Sequence, residues 1–139
     1  MAHTYQPAKL FTPEQANAML PLVRAIVADL VALSRDVVER RQRLANVTGG
    51  RELDGDDPYA EELVAAERDL DRDAMKIREF AKELEELGVE LKDPLVGLVD
   101  FPCERDGRTI YLCWKHGEPQ VDFWHELDAG FQGRRSLPL

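Results

Sequence analysis

A chain of 139 residues, 44% apolar and 32% charged, is long enough for one domain with its own core and too apolar to stay disordered. Its net charge of −9 argues against nucleic acid as a partner, because neutralising phosphates takes a basic surface. The longest apolar run, Leu20–Leu33, is interrupted by Arg24 and Asp29, which argues against a membrane span.

The opening, MAHTYQPAKLFTPEQ, lacks the basic start and apolar stretch of a secretion signal, so a cytoplasmic location is expected. Thr12, Pro13 and Gln15 then form a helix-start signal: a cap, a proline at the first helical position and the last member of a T-x-x-Q capping box. Met19, Val23, Ile26, Leu30, Leu33, Val37 and Leu44 follow in steps of three and four, predicting a first helix over residues 10–46 with one apolar seam. Pro21 removes a backbone donor and crowds the carbonyl of Asn17, predicting a kink or short break.

Glycine and aspartate dominate residues 47–57, which read as a loop. Asp57 and Pro58 then cap and open a second helix over 58–87. Its seam runs Leu63, Ala66, Leu70, Asp73, Ile77, Phe80, Leu84, Leu87, and Gly88 stops it with Val89 set to touch Leu84. Helices of similar length joined by a loop predict an antiparallel hairpin, in which Asp73 finds Arg40 on the facing helix. The charges divide along it: residues 1–51 carry seven Lys/Arg against four Asp/Glu, residues 52–93 six against sixteen. A lone hairpin leaves flanks such as Val27, Val31, Val38, Ala74 and Ala81 uncovered. A homodimer through the long helices, with a four-helix core, is the expected solution.

Residues 97–124 read as a three-stranded antiparallel β-sheet. Asp106-Gly107 is a two-residue hairpin turn that pairs Arg105 with Arg108, Cys103 with Ile110, Phe101 with Leu112 and Asp100 with Cys113. A second turn, His116 to Pro119, returns the chain toward Trp124, with His116 expected in solvent. Alternation then gives an apolar core face of Val99, Phe101, Cys103, Ile110, Leu112, Trp114, Val121 and Phe123. The opposite face holds Asp100, Pro102, Tyr111, Cys113, Asp122 and Trp124, so the two cysteines cannot bridge.

Just beyond, in the turn and tail over 125–139, come His125, Glu126 and Asp128. With Asp100, Tyr111, Cys113, Asp122 and Trp124 they make a candidate polar site. His125, Glu126 and Asp128 are candidate ligands for a divalent metal, and facing carboxylates could serve as acid and base. The segment lacks the second histidine of an H-E-x-x-H zinc helix. Arg134 and Arg135, after two glycines spaced around Phe131, are candidate anion contacts. No nucleotide-binding glycine pattern and no activated serine occurs.

The segments LFTPEQANAMLPLV, ELEELGVELKDPLVGLVDFP and RTIYLCWKHGEPQVDFWHELDAGFQGRRSL resemble the domain of unknown function 2203 family over nearly the full chain. The resemblance implies a small cytosolic bacterial protein of two long helices and a short sheet, and brings no activity or catalytic residue with it. The fold expectation is therefore α+β: a long antiparallel helix hairpin, then a small three-stranded antiparallel sheet and a short tail, in one domain over 1–139. The functional expectation is a non-enzymatic homodimeric binding or scaffold protein. The alternative is a small metal-binding protein or metal-dependent enzyme using the polar face of the sheet.

Overall fold

The computed structural model describes residues 5–49 and 58–139. The Asp57 cap and most of the loop expected over 47–57 fall outside those residues. Helix α1 spans Pro13–Thr48. Thr12 Oγ1 accepts from the Gln15 backbone at 3.1 Å while Gln15 Oε1 accepts from the Thr12 backbone at 3.0 Å, closing the capping box. Of the kink or short break expected at Pro21, the break is not seen: α1 runs through the proline as continuous helix.

Helix α2 spans Ala60–Glu86, starting two residues later than Pro58. It ends in a full Schellman motif: Val89 N–H donates to the Leu84 carbonyl at 3.0 Å, and Gly88 N–H to that of Glu85 at 2.9 Å. Gly88 takes φ +85°, a conformation glycine adopts without a steric cost, and Leu84 and Val89 are buried beside the turn.

Five strands, rather than three, form one antiparallel sheet in the order β1-β2-β3-β4-β5. They are β1 (Glu90–Asp93), β2 (Leu98–Arg105), β3 (Arg108–Lys115), β4 (Phe123–Glu126) and β5 (Arg135–Ser136). The β2–β3 register has all four expected pairs: Arg105 with Arg108, Cys103 with Ile110, Phe101 with Leu112, Asp100 with Cys113. The fourth strand corrects the face assignment. Leu112 pairs with Trp124 and Cys113 with Phe123, so Trp124 joins the core and Phe123 turns to the polar face.

The cause lies in the connection between β3 and β4, which α1 holds in place. Asn17 grips Val121 on both sides, its Oδ1 accepting from the Val121 N–H at 2.8 Å and its Nδ2 donating to the Val121 carbonyl at 3.2 Å. Arg24 donates to the Pro119 carbonyl at 2.8 Å. The connection therefore takes an odd number of residues, and a one-residue slip inverts every side chain of a strand.

The core lies between α1 and the sheet. Leu20, Val23, Val27, Leu30 and Val31 of α1 meet Val99, Phe101, Ile110, Leu112 and Trp114, with Phe11 edge-on to Phe101 at 5.3 Å. An 18-residue window of α1 reaches a mean hydropathy of 1.7, enough by length and composition to cross a membrane. In the fold, that apolar character covers one side of the sheet. Cysteines 103 and 113 are buried and unbridged on opposite faces, and His116 is half-buried, its ring 6.1 Å from that of Trp114.

Alongside α1 lies α2. Arg43, Leu44 and Val47 line one cleft together with Ala66, Asp69 and Leu70, and Leu33 and Asp36 line another together with Lys76 and Phe80. Arg40 and Asp73 form a hydrogen-bonded ion pair between the two groups. Of the α2 seam only Leu70 and Leu84 are buried.

Candidate metal centre

The sheet face turned away from the helices carries the polar cluster. On β2 and β3 the alternation that buries Val99, Phe101 and Leu112 against α1 sends Asp100, Tyr111 and Cys113 to this side. The corrected β4 register adds His125, which pairs with Tyr111 across the ladder. His125 Nε2 lies 3.0 Å from Asp100 Oδ1, reaching over β3 from the second strand away. Both side chains are only 3% exposed.

The tautomer follows from the hydrogen bonds. His125 Nδ1 lies 2.7 Å from the backbone carbonyl of Glu126, which can only accept, so Nδ1 carries a proton. Nε2 then donates to Asp100 when the ring is charged and turns a lone pair on it when the ring is neutral. Burial pulls the imidazole pKa down, but the bonds to Asp100 and to the Glu126 carbonyl outweigh it, and the net shift is upward. The protonated ring is thereby favoured beside Asp100 relative to a free imidazole.

Cys113 completes the group. One ligand atom each from Asp100, Cys113 and His125 lies within 4.8 Å of the others, and all three residues are buried. Burial, then the Asp100 charge, pushes the Cys113 thiol up to about 12. An attacking cysteine needs a thiolate and a base on its sulfur. The raised thiol and the engagement of both His125 nitrogens, with the Glu126 carbonyl and with Asp100, leave the sulfur without the base that a nucleophilic cysteine uses.

Around the cluster runs a second polar network. Tyr111 Oη donates to Glu90 Oε1 at 2.8 Å, Tyr5 donates to the other Glu90 oxygen, and Lys92 bonds Glu90 at 3.0 Å. Burial and the Glu90 carboxylate raise the Tyr111 hydroxyl pKa. Sequence reasoning missed Tyr5, Glu90 and Lys92. The only available signal was the alternation Val89-Glu90-Leu91, too short to mark a strand.

The other candidates do not join. Asp122 leaves the ladder and accepts from Gln120 at 2.7 Å. Trp124 packs in the core on the opposite face, with Arg105 and Arg135 over its ring. Glu126 is held by Arg108 through bonds of 2.6 and 3.2 Å, which draws its pKa down, and Asp128 is exposed. Arg134 bonds Glu118 at 2.6 Å and stacks on Phe123, so the two neighbouring arginines point to different partners.

Residues 9–137 match the family described as an uncharacterized conserved protein, DUF2203. No curated protein and no solved structure matches the chain. The match takes in both helices, all five strands and the Asp100–Cys113–His125 cluster between them: the chain belongs to the DUF2203 family.

Proposed function

We propose that the protein binds one transition-metal ion of the zinc class through Asp100, Cys113 and His125. The observation that carries this reading is the convergence of three buried side chains of ligand type. A tetrahedral ion with bonds of about 2.0–2.3 Å holds its ligands roughly 3.3–3.8 Å apart, so a contraction of about an ångström at the widest separation suffices. The Nδ1–H bond to the Glu126 carbonyl is the outer support a ligating histidine needs, because it makes Nε2, the nitrogen that now faces Asp100, the coordinating one. One thiolate with one imidazole favours a borderline or soft ion over magnesium or calcium.

Loading would replace the thiol proton and the proton shared by His125 and Asp100 with one dication, leaving the buried charge unchanged. Ligands this buried exchange poorly with solvent, so the ion would stabilise or sense rather than turn over substrate. Elemental analysis of protein purified without chelator should find one zinc-class ion per chain, lost in Cys113→Ser and His125→Gln. Cobalt replacement should add a sulfur-to-metal charge-transfer band that Cys113→Ser removes. Metal-free protein that takes up no cobalt after unfolding and refolding in its presence would reject the reading.

A second reading concerns the helices, taken as one antiparallel hairpin that presents a docking face. It is favoured by the order of the shared clefts, one lined by late α1 and early α2 residues and the other by residues nearer the middle of both helices. That reading gives the chain a binding or scaffold role compatible with a buried structural ion.

A further inference from the structure

The open side of the helix pair is a groove. Near the Thr48 end of α1 its apolar lining is Leu44, Val47, Ala66 and Leu70; near the sheet it is Ala32, Leu33 and Phe80. At about 100° per residue the α1 groove positions 29, 32, 33, 36, 40, 43, 44 and 47 fall in one stripe. The sheet-facing residues Leu20, Val23, Val27 and Val31 lie on a different side of the helix, so the groove faces away from the sheet. It runs roughly 27 Å from residue 29 to residue 47, at ~1.5 Å per residue. The Arg40–Asp73 pair divides it in the middle.

The rim charges change sign along and across this groove. At the far end α1 contributes Arg43 and α2 contributes Asp69. At the sheet end α1 contributes Asp29 and Asp36, and α2 contributes Lys76. Arg43, Asp69, Asp36 and Lys76 already pair along their own helices with Glu39, Arg72, Arg40 and Asp73, but each is more than half exposed, and such surface pairs are weak enough to share with a facing charge. Such a pattern is its own complement. Rotation about a twofold axis along the groove sets Arg43 against the other copy's Asp69. Rotation about an axis across it sets Arg43 against the other copy's α1 acids, and Asp69 against its Lys76. Either way opposite charges meet and the apolar linings face one another.

We infer that this groove is the dimer interface of the protein, occupied by the same groove of a second copy to form a four-helix layer. The inference rests on the hairpin reading above. It explains why an α2 seam of regular spacing is left half-open in the single chain: its remaining partner is another helix pair. The self-complementary rim selects a second copy over an unrelated apolar partner, which would have no reason to match both ends.

Sedimentation equilibrium of the full chain should report a particle of twice 15.8 kDa in the micromolar range. Ala32→Glu combined with Ala66→Glu should weaken association at least ~100-fold, with helicity unchanged, because each places an unpaired carboxylate in the closed interface. Arg43→Glu alone should weaken it less. Adding Asp69→Arg restores the dimer if far ends meet; adding Asp29→Arg restores it if far end meets sheet end. A 15.8 kDa particle at every concentration overturns the inference, as does a dimer indifferent to the two glutamates or a charge reversal that neither partner restores. Oxidation of Val47→Cys with Ala66→Cys to a disulfide within one chain tests the hairpin separately. A monomer that still forms this link loses the dimer alone, and one that does not loses both.

Discussion

Asp100 and His125 each sit 3% exposed, and among the described residues each has the other as its ion-pair partner. Removing one member of such a pair leaves a desolvated group facing an unsuitable neighbour, at a cost of about 3–5 kcal/mol. In metal-free protein, Asp100→Asn should therefore lower urea-unfolding stability by about that amount at slightly acid pH. The pH dependence has a definite sign. His125 titrates higher when folded than when unfolded, so the stability it adds is complete below the unfolded imidazole value of about 6.5. That stability is lost as pH rises through the raised folded value. The gap between wild type and Asp100→Asn should narrow with increasing pH. A gap that widens would mean that the shared proton does not sit on the imidazole.

Between residue and molecule, the joint of α1 with the sheet turns on Gly97. Its φ is +71°, and a Cβ there would stand 2.8 Å from a Val27 methyl, 2.9 Å from a Val31 methyl and 2.5 Å from His116 Cβ. Gly97→Ala must strain the backbone and push α1 off β2, which should cost about 2–4 kcal/mol from the two effects together. Chemical denaturation reads this directly, and a loss under about 1 kcal/mol would mean the helix rides more loosely on the sheet. The elements legible in the sequence were those set by near neighbours: the Thr12–Gln15 cap, the Gly88 ending and the Asp106-Gly107 hairpin with its register. What escaped was set at long range. Asn17 fixes Val121 across 104 residues, and that grip decides which face His125 and Trp124 take. Strand β1 is four residues and β5 two, too short to show alternation, and each exists because a longer strand offers it an edge. Hence alternation along the strands marks Asp100 and Cys113, and chain order brings His125 near them, but only the three-dimensional register separates these three from Asp122, Glu126 and Asp128.

At the scale of the whole molecule, the three proposed ligands come from three adjacent strands, β2, β3 and β4, so a bound ion would cross-link the centre of the sheet. Unfolding separates those strands and disperses the set, so an ion that binds the folded chain raises its stability by mass action. At a free concentration one hundred times the dissociation constant, the gain is about 2.7 kcal/mol, or roughly 10 °C in Tm for a chain of this size. Calorimetric melts of chelator-treated protein should therefore climb with added zinc and keep climbing by a constant step per decade of free ion. Magnesium should leave the melt in place, since a thiolate and an imidazole offer it poor ligands. Cys113→Ser should flatten the zinc series without abolishing the cooperative transition, because the core between α1 and the sheet does not use that side chain. A wild-type Tm indifferent to zinc at every concentration would leave the trio as a polar pin. The sheet would then be held on this side by the His125–Asp100 pair with the thiol beside it.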